Sequence, residues 1–255
     1  MTNQEILHIA LQQSAYDCNC APDDFLSAQN KVVLSRENKK ARAYLALPFA
    51  CDLVSYGNNI VAQVSPEMEK IVAWYIEKYA VAHCFETPNL LVLNEKLAAF
   101  GYQVHFMAEY FLPDINQVKE MLCNYEIKVL HPEEFEQYYS DAWANALCKS
   151  RKQLDRLAVG AYDNGKMVGL AGCSADCETM YQIGVDVLPA YRRQGIASAI
   201  TSRLAIEVLK LGKVPFYCAA WSNLKSVGNA IKCGFRPAWI ELTAKKKELV
   251  GKMNP

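Results

Sequence analysis

Residues 187–200 read VLPAYRRQGIASAI, and this stretch passes from an apolar strand through Pro189, two arginines and a glycine into an apolar helix. The first amides of a helix have no partner inside the helix and carry partial positive charge. A glycine just before them lets an anion approach the backbone closely. Gly195 and the small Ala197 leave room for a phosphate, and Arg192 or Arg193 can add a charge-assisted hydrogen bond. The stretch is therefore either a phosphate cradle or an ordinary strand-to-helix turn with surface arginines.

The chain lacks two other common phosphate-binding signatures. It contains neither the P-loop pattern G-x-x-x-x-G-K-[ST] nor the dinucleotide pattern G-x-G-x-x-G. The pattern R-x-x-G-x-A at residues 192–197 is weak by itself, because half of its positions are unconstrained. The elements around the stretch must decide between the two interpretations.

The second half of the chain predicts the order β-α-β-β-β-α-β-α-β. Asn164-Gly165 lies between two alternating apolar runs, which is typical of a two-residue hairpin turn. The segment 131–147 predicts one helix, with Pro132 in its first turn. A second helix follows Gly195, since apolar residues recur every three or four positions up to Leu211. A short third helix, SNLKSVGNAIKC, precedes Gly234, and the strand PAWIELTA ends the predicted order.

The first half mixes helices and strands. A helix is predicted over Gln4–Ala15, and a hairpin at Asn58-Asn59 joins strands near 52–56 and 60–64. Ser65 and Pro66 begin a further helix. Another helix stops at Gly101 and is followed by a strand that Pro113 halts. The periodicity fades between residues 113 and 126, so we place a domain boundary there.

Composition favours a packed protein and argues against several function classes. Hydrophobic residues make up 52% and charged residues 21% of the 255 residues, so the chain can bury a core. The 27 basic and 27 acidic residues cancel, which disfavours sequence-independent nucleic-acid binding. The first residues lack the features of a signal peptide, and no apolar run is long enough to span a membrane. We expect a cytoplasmic protein with no nucleic-acid or membrane partner.

The ten cysteines are expected to be free thiols. The pairs Cys18/Cys20 and Cys173/Cys177 are not C-x-x-C pairs, and no partner pair follows at the spacing of a zinc finger. We therefore predict no metal site, and we expect the cysteines to act as small buried hydrophobic residues.

Two motifs resemble a known superfamily. Residues 184–200, GVDVLPAYRRQGIASAI, resemble the acetyl-CoA signature of the GCN5-related N-acetyltransferase (GNAT) superfamily, in which an apolar strand, a V-x-P-x-Y-R-x-x-G-I-G/A loop and a long helix hold the pyrophosphate. Downstream, SNLKSVGNAIKCGF resembles the last helix of the same superfamily. The matching residues are Val187, Pro189, Tyr191, Arg192, Gly195, Ile196 and Ala197 in the first motif, and Asn223, Ser226, Gly234 and Phe235 in the second.

This resemblance implies a fold and a domain organisation. It implies a mixed, mostly antiparallel twisted sheet flanked by helices, an α/β (α+β) fold, with an acetyltransferase domain over residues 126–255. It also implies that residues 1–125 are an N-terminal α/β domain on the acceptor side, which we interpret as a degenerate second copy of the fold. The segments DDFL, LVSYGNNIVAQVS, CFETPNL and GYQVHFMAEYFLP are similar to a bacterial subgroup of two-part acetyltransferases that includes the zwittermicin A resistance enzyme.

The resemblance also implies which residues bind acetyl-CoA, the co-substrate. Backbone groups at Val185 and Val187 make strand-like hydrogen bonds to it, and Gly184 either permits a close approach or marks a bulge. The predicted acetyl-CoA-binding residues are Val185, Asp186, Val187, Arg192, Arg193, Gln194, Gly195, Ile196, Ala197, Ser198, Asn223 and Ser226.

The catalytic groups are less completely specified. Many members of the superfamily have a tyrosine four residues before the second-motif glycine, where this chain has Ala230. Ser226 is the remaining candidate for donating a hydrogen bond to the leaving thiolate, and Asn223 either caps the helix or contacts the pantetheine. The candidates for the base are Asp186, Tyr181, Glu178 and Glu109. His131 fits a helix cap better than a base.

We expect an acetyl-CoA-dependent N-acetyltransferase that acts on a primary amine of a small molecule by direct attack in a ternary complex. Two alternatives stay open: a non-catalytic acyl-CoA-binding sensor, which the missing tyrosine favours, and a protein or peptide N-acetyltransferase. A homodimer is the assembly to test for.

Overall fold

The structure is a computed structural model that describes residues 1–253. The chain folds as two compact units. The C-terminal unit contains residues 1–9 and 110–237, and the N-terminal unit contains residues 10–109 and 238–253. The predicted division into functional domains at residues 1–125 and 126–255 stays a prediction.

The C-terminal unit is built on a mostly antiparallel sheet. Its strands are β5 (Glu126–Leu130), β6 (Asp155–Asp163), β7 (Lys166–Ser174), β8 (Met180–Val187) and β9 (Val214–Ala219). The end of β4 (Tyr102–Pro113) and the start of β10 (Phe235–Lys246) complete it. Spatially the strands run β10-β4-β9-β8-β7-β6-β5, and within this unit β8 and β9 pair in parallel. At the β6–β7 turn, Asn164 and Gly165 both have positive φ, which confirms the predicted hairpin turn.

Helices cover both faces of this sheet. α5 (Ile196–Lys210) packs on β6, β7 and β8, and α6 (Leu224–Lys232) precedes β10. Ile196, Ile200, Leu204 and Val208 of α5 are buried against alternate residues of β6, as the helical period predicts. The opposite face is covered by α4 (Pro132–Phe135) and the segment that follows it, through Phe135, Trp143 and Leu147.

The helix predicted over residues 131–147 is wrong beyond its first turn. α4 ends at Phe135, and short 3-10 turns replace the rest. The backbone N–H groups of Asn145 and Ala146 donate to the carboxylate of Asp186, at 2.9 and 3.0 Å, instead of to carbonyls one turn earlier. A contact distant in sequence therefore overrides the local helical pattern.

The N-terminal unit is also built on strands of a sheet. Its strands are β1 (Lys31–Leu34), β2 (Cys51–Ser55), β3 (Val61–Val64) and the parts of β4 and β10 that belong to this unit, in the order β1-β3-β2-β10-β4. Its helices are the second part of α1 (Asn3–Cys18), α2 (Glu69–Lys78), α3 (Thr87–Ala98) and α7 (Lys247–Met253). The predicted hairpin of β2 and β3 is confirmed, whereas β1 and α7 were not predicted.

One face of the N-terminal sheet is apolar and the other carries a row of buried polar groups. Leu53, Ala62 and Leu242 face the apolar core beneath α2 and α3. On the other face Asp52 lies between its cross-strand neighbours Gln63 and Thr243, and both donate to its carboxylate at 2.9 Å. Asp52 is 1% exposed. Burial raises the pKa of Asp52 to about 7, although the two hydrogen bonds oppose that shift.

This burial predicts a pH-dependent stability. The native state holds the Asp52 proton more tightly than the unfolded chain does, so the stability from this group is complete in acid. It is lost as the pH rises from about 4 through about 7. Asn cannot ionise, so we expect Asp52→Asn to gain more than 1 kcal/mol relative to the natural chain over this range, because one pKa unit is worth about 1.4 kcal/mol. Denaturant unfolding at several pH values measures the gain.

The matched control is Asp23→Asn, which removes an exposed carboxylate of the same unit. We expect its unfolding curves to follow the natural chain at every pH. An Asp52→Asn protein with the same pH dependence as the natural chain would contradict the prediction.

The ten cysteines are all free, as predicted. Burial raises the pKa of Cys173 and of Cys233 to about 12, and that of Cys84 to about 11. It also raises the pKa values of Cys18 and Cys51 well above the ordinary thiol range. Over residues 1–253, no group of three or more His, Cys, Asp or Glu side chains is placed to hold a metal ion. No helix within the same residues is long and apolar enough to cross a membrane.

Candidate active site

The candidate site lies in the C-terminal unit, where the parallel strands β8 and β9 separate. Their pairing runs from Met180–Val214 to Ile183–Tyr217. Residues 184–187 of β8 continue beside β7 alone, and each is only partly buried although β8 is an internal strand. The separation leaves one edge of β8 open to a ligand.

The backbone groups on that open edge belong to Val185 and Val187. Leu188 donates its N–H to Val168 of β7 at 3.0 Å, and in an antiparallel pair the hydrogen-bonding residues alternate. Val185 and Val187 therefore direct their N–H and C=O groups away from β7. An extended amide chain entering the gap would meet donors and acceptors at the spacing of a strand.

The loop after β8 has the geometry of an anion cradle. Gly195 adopts φ 82° and lies immediately before the first residue of α5, and Arg193 adopts φ 64°. Left-handed backbone of this kind turns successive amides to one side, and glycine adopts it without the strain that a Cβ causes. Nε of Arg192 donates to the carbonyl of Val187 at 3.1 Å, which ties the loop to the end of β8. The side chain of Arg193 is exposed.

Side chains brace this loop from behind. Gln194 accepts a hydrogen bond from Tyr125 and donates to the carbonyl of Ala190 at 3.4 Å. The hydroxyl of Tyr191 lies 3.0 Å from a carboxylate oxygen of Asp163. These contacts fix the loop before any ligand arrives.

The side chains of the first turn of α5 pack against the rest of the protein. Ile196 is buried in the apolar core, and Ala197 is half-buried. The hydroxyl of Ser198 donates to Oδ1 of Asn229 at 3.0 Å, so the side chain of Ser198 joins α5 to α6. What Ile196, Ala197 and Ser198 offer an anion is their backbone N–H groups at the helix start.

Ser226 lies in the first turn of α6, beside the end of the β8–β9 pairing. Oδ1 of Asn223 accepts the backbone N–H of Ser226 at 3.2 Å, so Asn223 is the predicted N-cap. Because the cap uses the backbone of Ser226, the serine hydroxyl is left for other contacts. Its oxygen lies 2.8 Å from the hydroxyl of Tyr217, a buried residue of β9.

The carboxylate of Asp186 anchors residues 145 and 146, which lie against one face of the sheet. Its two carboxylate oxygens accept three hydrogen bonds, from the N–H of Asn145, the N–H of Ala146, and Nδ2 of Asn145 at 2.6 Å. A Cβ on Gly184 would lie 1.8 Å from the carbonyl oxygen of Asn145, and a Cβ on Gly172 would lie 2.1 Å from that of Ala146. Gly184 thus permits a close approach of the Asn145 backbone, while its predicted part in binding the cofactor stays a prediction.

The candidates for the base lie in different surroundings. Glu178 is exposed, and burial raises the pKa of Tyr181. Glu109 belongs to the N-terminal unit, where Oε2 is buried without a hydrogen-bond partner in the described part of the chain, and burial raises the pKa of this carboxyl. His131 directly precedes α4, and its backbone N–H donates to the carboxylate of Glu134 at 2.8 Å, as expected for a helix start.

The predicted residues thus fall into three groups: the edge of β8, the loop with the first turn of α5, and the first turn of α6. Sequence reasoning missed Tyr217, Asn145 and Ala146. Tyr217 stands in the apolar run VPFYCAA, where its hydroxyl gives no sign of its partner. Asn145 and Ala146 lie in a segment whose pattern is helical.

The family model described as GNAT acetyltransferase matches residues 93–238, which is more than half of the chain. The chain therefore belongs to the GNAT acetyltransferase family, and its fold is the one that the sequence predicts. Membership points to acyl transfer from an acyl-CoA. A search of curated proteins finds no match.

Solved structures with the GNAT fold resemble the chain at low identity. A GNAT-family acetyltransferase of Novosphingobium aromaticivorans DSM 12444 is 18% identical, with a TM-score of 0.46 over 56% of this chain and 66% of that one. A GCN5-related N-acetyltransferase-like protein of Streptococcus suis 89/1591 is 19% identical, with a TM-score of 0.45 over 62% and 69%. A GCN5-related N-acetyltransferase of Kribbella flavida is 16% identical, with a TM-score of 0.47 over 63% and 64%. The chain spans about two thirds of the length of these proteins.

The cradle predicts a specific sensitivity at Gly195. A Trp at this position would place an indole at the start of α5, and we expect Gly195→Trp to raise the Kd for CoA by at least about 100-fold, the equivalent of nearly 3 kcal/mol of lost phosphate contacts. Isothermal titration calorimetry with CoA measures the change. The protein should stay folded, because the nearest atoms to a Cβ on Gly195 are 3.9 Å away.

The matched control is Gly212→Trp, just beyond the other end of α5. Gly212 has φ 71° and open space around it, so it imposes the same backbone strain of about 1–2 kcal/mol without touching the cradle. Unchanged CoA affinity in Gly195→Trp would show that the phosphate binds elsewhere.

Proposed function

We propose that the protein is an acetyl-CoA-dependent N-acetyltransferase that transfers an acetyl group to the primary amine of a small molecule. The observation that carries this proposal is the open edge of β8, which stands beside an anion cradle and a serine hydroxyl in one unit. Direct attack in a ternary complex needs these parts in one place: a clamp for the donor, a polarised thioester carbonyl and a hydrogen-bond donor for the departing sulfur.

The donor fits the residues that line the site. The 5′-pyrophosphate would lie against the backbone N–H groups of the loop from Arg193 to Gly195 and the first turn of α5. The pantetheine carries two amides, and Val185 and Val187 present strand-edge groups to such a chain. The carbonyl of Val187 already accepts a hydrogen bond from Arg192. The expected contacts are therefore the N–H of Val187 and the N–H and C=O of Val185.

The transfer conserves atoms and charge. The amine nitrogen forms a bond to the acetyl carbon, and the carbon–sulfur bond breaks with its electron pair on sulfur. The nitrogen gives up one proton and the sulfur takes up one, so the products are an amide and free CoA. Ser226 donates a hydrogen bond to the sulfur as negative charge develops there. A serine hydroxyl does not titrate near neutral pH, so its role is electrostatic.

The proposal for the base is narrower than the sequence alone allowed. Both oxygens of Asp186 are occupied by Asn145 and Ala146, which favours an anchoring role over proton transfer. The raised pKa of Glu109 suits a carboxylate that accepts a proton, whereas the raised pKa of Tyr181 keeps that phenol protonated at neutral pH. We retain Glu109, and water-mediated removal of the proton, as the routes to test.

The acceptor and the setting are proposals from the sequence. The likeness to the two-part subgroup of the zwittermicin A resistance enzyme supports a small-molecule amine, with the N-terminal domain on the acceptor side. A cytoplasmic location and a homodimer remain predictions, as does the absence of nucleic-acid, membrane and metal partners.

Two alternatives use the same donor site. An acyl-CoA-binding sensor is favoured by Ala230, a buried residue where many relatives have the tyrosine that protonates the thiolate. A protein or peptide N-acetyltransferase would share the chemistry and differ in the acceptor. The intact N-x-x-S motif and the position of the Ser226 hydroxyl favour the enzyme.

One assay separates the three functions. Purified protein is mixed with acetyl-CoA and a library of small amines, and release of free CoA is followed with a thiol reagent. Turnover that depends on an amine supports the enzyme, and turnover only with peptides supports the third function. Tight CoA binding without turnover on any amine or peptide supports the sensor and overturns the proposal.

Ser226→Ala tests the role of the serine. We expect kcat to fall by about 100-fold while the Kd for CoA changes by less than about threefold, because the hydroxyl acts mainly on charge that develops during the reaction. Ser222→Ala, at an exposed position before α6, is the matched control. An equal loss of binding and of kcat in Ser226→Ala would refute the catalytic role.

A further inference from the structure

We infer that Tyr217 is a positioning residue that turns the hydroxyl proton of Ser226 toward the gap between β8 and β9. The inference rests on the proposed function and names a residue that the sequence motifs do not include. Tyr217 is the last residue of β9 that pairs with β8, and its hydroxyl oxygen lies 2.8 Å from that of Ser226.

The direction of the Tyr217–Ser226 hydrogen bond follows from the burial of Tyr217, because the side chain of Asn229 is engaged with α5. The Oδ1 of Asn229 accepts from Ser198 at 3.0 Å, and its Nδ2 donates to Thr201 at 3.1 Å. In the described part of the chain, Ser226 is the hydrogen-bond partner of the Tyr217 hydroxyl.

Tyr217 must then place its own proton on Ser226. The side chain is 2% exposed, so its O–H has no access to bulk water, and buried donors are nearly always satisfied. The oxygen of Ser226 is the acceptor within reach. Burial also raises the pKa of Tyr217, so the phenol keeps its proton at neutral pH.

Ser226 consequently keeps its own hydroxyl hydrogen for another partner. Its oxygen accepts from Tyr217, and its backbone N–H is bound by Asn223. Its hydroxyl hydrogen is available to a ligand sulfur in the gap. Without the Tyr217 phenol, the Ser226 hydroxyl could rotate and donate its hydrogen bond away from the gap. Its hydrogen bond to sulfur would then be lost for part of the time.

The tyrosine is held in place independently of any ligand. Its ring packs against Phe235 with the centroids 6.2 Å apart, and it belongs to the core beneath α5. Removing its hydroxyl leaves this packing intact, so Tyr217→Phe is a change of one polar atom. Tyr217 touches neither the substrate nor the reacting atoms in this scheme, and it acts through Ser226.

A double-mutant cycle tests the inference. The proteins are the natural chain, Tyr217→Phe, Ser226→Ala and the double variant, each assayed for kcat and for the Kd of CoA. We expect Tyr217→Phe to lower kcat about tenfold with CoA affinity unchanged, the effect of one hydrogen bond. The double variant should be no slower than Ser226→Ala alone, because the phenol acts only through the serine.

One control protein sharpens the result. Tyr162→Phe, which removes a buried hydroxyl from β6 in the other apolar cluster, should leave kcat and the Kd of CoA unchanged.

The outcomes separate this inference from the proposed function. Amine-dependent turnover with an unchanged kcat in Tyr217→Phe overturns the inference and leaves the function standing. So does an additive loss in the double variant, or a loss of CoA affinity that matches the loss of kcat. Absence of turnover by the natural chain with every amine and peptide overturns both.

Discussion

The separation of β8 from β9 is the constraint on which the rest of the site depends. Two parallel strands that stayed paired would satisfy the backbone groups of Val185 and Val187 internally, and nothing would be left to bind a ligand. The anchoring of residues 145 and 146 by Asp186 covers one face of the same strand, and α5 covers the other. The strand is thereby held from both faces while one edge stays open.

Local chemistry explains why much of the fold could be predicted. The Asn164-Gly165 turn, the Asn223 cap and the apolar period of α5 depend on residues close in sequence, and all three are present. The segment 131–147 was predicted wrongly because its pattern is helical, while its backbone hydrogen bonds go to Asp186 on a distant strand. Strand β1 was missed because its four residues pair only with β3, which lies further along the chain.

The candidate site divides in the same way. The loop around Gly195 and the N-x-x-S motif are visible in the sequence because an anion cradle and a helix cap are local structures. The partner of Ser226 is not visible, because Tyr217 reaches it across the space between a strand and a helix. Gly184 is predicted from the sequence to permit a close approach or to mark a bulge, and only the structure shows that the Asn145 carbonyl occupies the space of its missing side chain.

The buried thiols bear on the chemistry of the product. Acyl transfer from a thioester releases a free thiol, and a thiol that oxidises can form mixed disulfides with protein cysteines. That exchange requires a thiolate, and the burial of Cys84, Cys173 and Cys233 raises their pKa values and so keeps these side chains protonated. A chain with ten cysteines can therefore work in a thiol-rich medium while the sulfur atoms of its core stay chemically silent.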